Sequence, residues 1–314
     1  MGNLSIIGCK CWPNNYGGFE SLVENLLRDK SFISNFKKIT IYVESFDSAI
    51  ANRFSNVEFV LLPITKAKNP IKFYFKSLFL AKDDDFNLIL GLAGGLSLPI
   101  FRIFNRTTQY IVNIDGIEWK RSKFSIFKRI ILYMLNMLSI IFSHKIILDS
   151  RALHIDNKLI KYKKKQFFIP YSSRFEGMSE LKDFNQIDGD FVLAVSRFVP
   201  ENNIEMICDG WNGFKKRHPE NDMRFIFIGD FESYDKDLPA IYPNIDFVGP
   251  VFDLERLGLY FDACKAYIHG HSVGGTNPVL VEAISKECNI FANDNIYNKD
   301  TAQEHSNYFS CSAD

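Results

Sequence analysis

At 314 residues, 46% apolar and 15% aromatic, the chain has room for two domains and enough apolar side chains for packed cores, which excludes a disordered or low-complexity polypeptide. The formal net charge is +0, yet the first 180 residues carry 26 Lys and Arg against 15 Asp and Glu, and the rest carry 11 against 22. That split predicts an anionic partner such as a membrane surface for the front half alone; no nucleic-acid partner is expected.

Leu4 to Cys9 reads as a short apolar strand, reached almost directly from Met1 with no secretory leader. Cys9 and Cys11 alternate along it and face opposite sides. Together with Cys208, Cys264, Cys288 and Cys311 they match neither a disulfide framework nor a zinc pattern, which points to a reduced cytosolic compartment. A turn-rich loop, Lys10 to Gly18, leads into a helix from about Phe19 to Arg28, with Leu22, Val23, Leu26 and Leu27 on its buried face. Further apolar runs at Ile39–Val43, Val57–Leu62, Leu88–Leu90, Tyr110–Ile114 and Lys145–Leu148 alternate with helical stretches, as in a mainly parallel sheet. The longest apolar stretch, Ile130 to Ser143, is too short to span a bilayer.

From Tyr171 to Gly189 no apolar period is sustained, so this stretch is read as a linker. A second series follows: strands at Phe191–Val195, Arg224–Ile228 and Asp246–Val248, helices near Ile204–Phe214 and Leu254–Ala263, then the strand Ala266–Ile268. The expectation is α/β, two doubly wound Rossmann-like domains covering 1–180 and 181–314. Ligands of such sheets lie at the carboxyl ends of the strands.

The residues that could carry chemistry cluster at those ends. After Ile268 comes His269-Gly270-His271-Ser272, then Gly274-Gly275-Thr276-Asn277-Pro278, then a helix Val279–Ile284. A glycine turn lets a ligand approach the main chain, and N–H groups at a helix start attract phosphate. Glu282, one turn on, can accept from sugar or ribose hydroxyls. An ordinary strand-to-helix turn reads the same way. Tyr16-Gly17-Gly18-Phe19-Glu20 repeats the arrangement in the first domain, and it is neither a dinucleotide fingerprint nor a Walker loop. Asp115, Glu118 and Trp119 follow a strand and combine carboxylates with an indole, as sugar sites do, although a charged loop would do the same. Arg197 follows another strand, where its planar fork suits a diphosphate or a surface ion pair. Asp83-Asp84-Asp85 reads as a solvated turn, and His269 with His271 lacks a third metal ligand. The basic, aromatic stretches Asn69–Lys82 and Lys123–Ser143 suit either core helices or helices lying on an anionic membrane.

The stretches YGGFESLVENL, VNIDGIEWKRSKFS, SRFVPENNIEM, FVGPVFD and HGHSVGGTNPVLVEA occur in that order between residues 16 and 283. In them the chain resembles retaining family-4 glycosyltransferases of the two-Rossmann (GT-B) architecture, and in particular the bacterial rhamnosyltransferase-type subfamily that builds surface polysaccharides such as capsule and O-antigen. The resemblance implies two domains facing across a cleft. It implies transfer of a deoxyhexose, rhamnose, from a dTDP- or UDP-sugar to a lipid-linked glycan at the inner face of the cell membrane, with retention and with neither metal nor cofactor. Gly17, Gly18, Arg197, Asn202, Gly274, Gly275, Thr276 and Asn277 would hold the donor, Glu282 its ribose, and Val248, Gly249 and Pro250 its base. Asp115, Glu118 and Arg197 would serve catalysis, and Tyr16, Glu20, Asp115, Glu118 and Trp119 the acceptor. Gly274 and Asn202 stand where a glutamate and a lysine are usual in the wider family. Relatives continue past the position of Asp314, so the second domain is expected to be truncated. The alternatives are a non-catalytic nucleotide-sugar binder and another GT-B enzyme such as an epimerase or phosphorylase.

Overall fold

The computed structural model describes residues 1–13, 17–48, 54–114, 116–121, 124–156, 159–175, 187 and 189–310. The chain divides into two compact units, Met1–Tyr171 and Ser172–Asp314. The boundary expected near residue 180 lies outside the described residues, as does most of the expected linker.

Unit 1 runs β1 (Gly2–Ile7), β2 (Cys11–Trp12), α1 (Gly18–Arg28), α2 (Lys30–Ser34), β3 (Phe36–Val43), β4 (Ser45–Phe46), β5 (Val57–Leu61), α3 (Pro70–Leu80), β6 (Phe86–Leu90), α4 (Leu98–Phe104), β7 (Gln109–Asn113), α5 (Ile126–Phe142), β8 (Lys145–Leu148), α6 (Ala152–Asp156) and β9 (Gln166–Phe168). Its main sheet has the order β5-β3-β1-β6-β7-β8-β9, parallel throughout. The chain therefore winds outward in both directions from β1, and the strand order reverses between β1 and β6. The expected strand Leu4–Cys9 ends instead at Ile7, because Gly8 takes φ +112°, a conformation that favours glycine. Cys9 thus lies beyond the strand rather than alternating along it with Cys11, and its thiol donates to the Cys11 carbonyl at 3.3 Å.

Unit 2 runs β10 (Phe191–Val195), α7 (Ile204–Arg217), β11 (Arg224–Ile228), α8 (Leu238–Ile241), β12 (Asp246–Val248), α9 (Leu254–Ala263), β13 (Ala266–His269), α10 (Pro278–Ser285), β14 (Ile290–Asn293), α11 (Ile296–Ala302) and β15 (Ser306–Phe309). Its parallel sheet has the order β12-β11-β10-β13-β14-β15. Because side chains alternate along a strand, both faces of this sheet must be covered. Phe191 and Leu193 of β10, with Ile226 and Ile228 of β11, pack against Leu257, Phe261, Leu280 and Ala283. The intervening Val192, Ala194, Phe225 and Phe227 pack on the other face against Ile204, Ile207 and Trp211. Two apolar layers thus clamp the sheet, and the polar loops are left at the strand ends.

Candidate functional site

In unit 2 the order reverses between β10 and β13, the first and fourth strands of the unit, and the crevice outside their carboxyl ends is where doubly wound sheets take ligands. Two loops meet there. Asn202 Nδ2 donates to the Arg197 carbonyl at 2.6 Å, and Asn202 Oδ1 lies 2.9 Å from His271 Nδ1. Asn203 Nδ2 donates to the Gly270 carbonyl at 2.7 Å, while the Ser272 N–H and hydroxyl both donate to the Glu201 carbonyl. A Cβ at Gly270 would sit 2.1 Å from the Asn202 carbonyl oxygen, so only glycine lets the loops close this far. Asn295 and Asn298 each donate to the His271 carbonyl at 2.8 Å, which fixes the turn from α11.

Asn202 is buried, and its side-chain amide joins the two loops. The start of α10 is already capped, with Asn277 Oδ1 accepting the Val279 N–H at 3.0 Å. The turn that precedes it, Gly274, Gly275 and Thr276, is buried. Gly274 adopts φ +142°, and a Cβ there would meet His271 Nε2 at 3.1 Å. Arg197, by contrast, is exposed, and among the described residues its guanidinium has no hydrogen-bond or ion-pair partner. At the end of β12 Val248 and Gly249 are half-buried and Pro250 exposed, with open space where a Gly249 Cβ would lie.

Glu282 is 1% exposed. Its Oε1 accepts from Arg174 Nε at 2.5 Å, while Oε2 is buried without a hydrogen-bond partner. A half-satisfied buried carboxylate carries an unmet desolvation cost, which a hydroxyl donor would relieve. Arg174 went unnoticed in the sequence because it follows the irregular Tyr171-Ser172-Ser173 stretch and belongs to no motif. The same segment is tied to α10 by a Ser285–Ser173 hydroxyl bond of 2.7 Å, and to α9 by Phe175 packing on Phe261 at 5.7 Å between ring centroids. Glu201 also lacks hydrogen bonds to either buried carboxylate oxygen. Beneath the turn, the Tyr267 hydroxyl lies 3.0 Å from His269 Nδ1. Burial, aided by His271, holds the His269 imidazole well below its ordinary value and therefore neutral.

In unit 1, Tyr16 and Asp115 lie outside the described residues. Gly17 caps α1 with φ −174°, an extended conformation open to any residue, so the backbone angle does not require glycine there. Glu20 is buried and accepts the Lys10 N–H at 2.6 Å, so it anchors the loop. Glu118 pairs with Arg121 at 2.7 Å, and Trp119 packs edge-on against Tyr133 at 5.7 Å. At the reversal between β1 and β6 stands Lys66, which the sequence reading did not single out. Its ammonium donates to the Gly8 carbonyl and lies 5.4 Å from the Phe19 ring centroid. Burial works to depress its pKa, but Tyr74, Glu20 and Cys9 together raise it above the ordinary lysine value, so it is charged.

No family model matches the chain, and no curated protein matches it. Solved structures do. HepE from Anabaena, in complex with UDP-glucose, is 14% identical, with 94% of this chain covered, 81% of that one and a TM-score of 0.66. Sucrose-phosphate synthase from Thermosynechococcus elongatus is 13% identical, with 98% and 86% covered and a TM-score of 0.74. WaaG, a glycosyltransferase involved in lipopolysaccharide biosynthesis, is 11% identical, with 98% and 85% covered and a TM-score of 0.65. The chain therefore has the GT-B fold, two Rossmann-like parallel-sheet domains, shared with these structures.

Proposed function

We propose that this chain is a glycosyltransferase that takes its sugar from a nucleoside diphosphate donor bound at the strand ends of unit 2. The observation that carries this reading is the pair of locked loops there, with an exposed arginine on the first, a buried glycine turn on the second and a half-satisfied buried glutamate in the helix that follows. The fold agrees with it, and HepE, which shares the fold, was solved with UDP-glucose. In this reading Arg197 and the N–H groups of Gly275 and Thr276 meet the diphosphate, Glu282 Oε2 accepts a ribose hydroxyl, and the base lies over Gly249.

The finer proposal follows the sequence resemblance. The donor is a dTDP- or UDP-linked deoxyhexose, rhamnose, and the acceptor is a lipid-linked glycan of a bacterial surface polysaccharide at the inner face of the cell membrane. Transfer proceeds with retention and without a metal ion. The acceptor hydroxyl attacks the anomeric carbon from the face that the diphosphate leaves, and the departing phosphate oxygen takes the hydroxyl proton. Arg197 and the turn N–H groups offset the charge gathering on the leaving group. Asp115, Glu118, Trp119 and Tyr16 are proposed for the acceptor.

Acceptor-dependent release of free nucleoside diphosphate tests the reading. Arg197→Ala is expected to slow release at least about tenfold, roughly 1.4 kcal/mol of transition-state stabilisation. Release at an unchanged rate, or release that ignores the acceptor, contradicts it. Donor binding without turnover would instead indicate a non-catalytic binder.

A further inference from the structure

The helices on one side of unit 1 form a continuous wall. Phe75 of α3 and Phe101 of α4 lie 5.5 Å apart between ring centroids. The turn before α4 reaches α5 through Gly95, where a Cβ would be 2.2 Å from the Leu135 carbonyl oxygen. The inner side of this wall closes the core with Phe73, Leu78, Leu98 and Ile140. The outer side is apolar as well. Ile103 and Phe104 at the end of α4 are 61% and 79% exposed, and Ile126 and Phe127 at the start of α5 are 75% and 74% exposed. Between the starts of α3 and α4 lies an open groove of about 500 Å³, floored by Ile71, Phe75, Leu96 and Ile100 and edged by Lys68 and Lys72.

Charge identifies the occupant. The described residues 68–82, 96–106 and 124–142, which build the wall, contain eight Lys and Arg and no Asp or Glu. Protein interfaces are depleted in lysine, whereas an apolar face fringed by lysines suits the boundary of an anionic bilayer, with the stems buried and the ammonium groups at the phosphates. Among the described residues no helix is long and apolar enough to cross a membrane, so the face would lie on the bilayer.

We propose that the α3–α4–α5 wall of unit 1 docks on an anionic bilayer, with a lipid acyl chain entering the groove and its phosphate meeting Lys68 and Lys72. This deepens the reading above, from which it takes the membrane setting, but rests on different residues and can fail separately.

The test is flotation of the full chain with vesicles of phosphatidylcholine alone or mixed with phosphatidylglycerol. The wild type should float with the anionic vesicles at low salt, and much less at high salt or on phosphatidylcholine. Combining Ile103→Ser, Phe104→Ser, Ile126→Ser and Phe127→Ser should lower binding at least tenfold, and Lys68→Gln with Lys72→Gln should weaken the anionic preference. Affinity for the nucleoside diphosphate should be unchanged in both sets. Equal flotation of variants and wild type, or no flotation of the wild type, overturns the proposal. So does a wild-type dimer that the serine set breaks, because a second copy would then cover the face. Loss of nucleotide binding in the wild type with flotation intact defeats the transferase reading and leaves this one standing.

Discussion

The two sheets reverse their strand order in the same way, yet the crevices that result are built differently. In unit 1 the strand ends are filled from within: Lys66 donates to Gly8, Tyr74 donates to Leu90, and Glu20 holds Lys10. In unit 2 the polar groups near the crevice are used to lock two loops together, while among the described residues the Arg197 guanidinium and one oxygen of Glu282 make no hydrogen bond. A shared topology offers a place for a ligand. Whether side chains there are spent on the fold or left over decides what the place can bind.

Two buried carboxylates give the sharpest way to break that contrast. Glu282→Ala removes the buried carboxylate that accepts from the Arg174 guanidinium, and should lower stability to urea by about 3–5 kcal/mol. Glu20→Ala removes the carboxylate that accepts the Lys10 N–H and should cost about 1–3 kcal/mol. Equal losses would show that the two carboxylates are the same kind of structural anchor.

The two glycine loops should also respond unequally. Gly274→Ala forces a side chain to φ +142° against His271 and should cost about 1–3 kcal/mol in chemical denaturation. Gly17→Ala, at an extended backbone with only ordinary contact to Glu20, should stay within about 0.5 kcal/mol. A costly Gly17→Ala would mean that the first loop is as constrained as the second.

Acid sharpens the comparison further. His269 is held neutral when folded, so above its ordinary value near 6.5 neither state binds the proton and stability is unaffected. As the pH falls below that value the unfolded chain takes the proton first, and stability drops by up to about 1.4 kcal/mol per pH unit from this group. His269→Gln should flatten the dependence of stability on pH between about 6.5 and 5. An unchanged slope would assign the acid sensitivity elsewhere, for example to His144 in unit 1, which burial also depresses.

Much of the fold could be read in the residues because alternation in β10 and β11 fixes which side chains face which layer, and α10 begins at Pro278, one residue before the expected start. The crevice residues were legible where glycine and polar residues stood together after a strand, as at Gly270–Asn277. What escaped was whatever depends on a distant partner. The bonds of Asn202 to His271 and of Glu20 to Lys10 join residues 69 and 10 positions apart, and no local pattern announces them. Lys66 and Arg174 carry no local signal, since their significance comes from Gly8 and from Glu282, 58 and 108 residues away.

Calorimetric titration with UDP and with dTDP, on the wild type and on Arg197→Ala and Glu282→Gln, addresses the account most directly. The wild type should bind one of the two diphosphates, and each substitution should weaken that binding at least about tenfold, or 1.4 kcal/mol, with Arg197→Ala leaving the urea midpoint unchanged. Wild-type affinity in both variants would contradict the assignment of the nucleotide to unit 2.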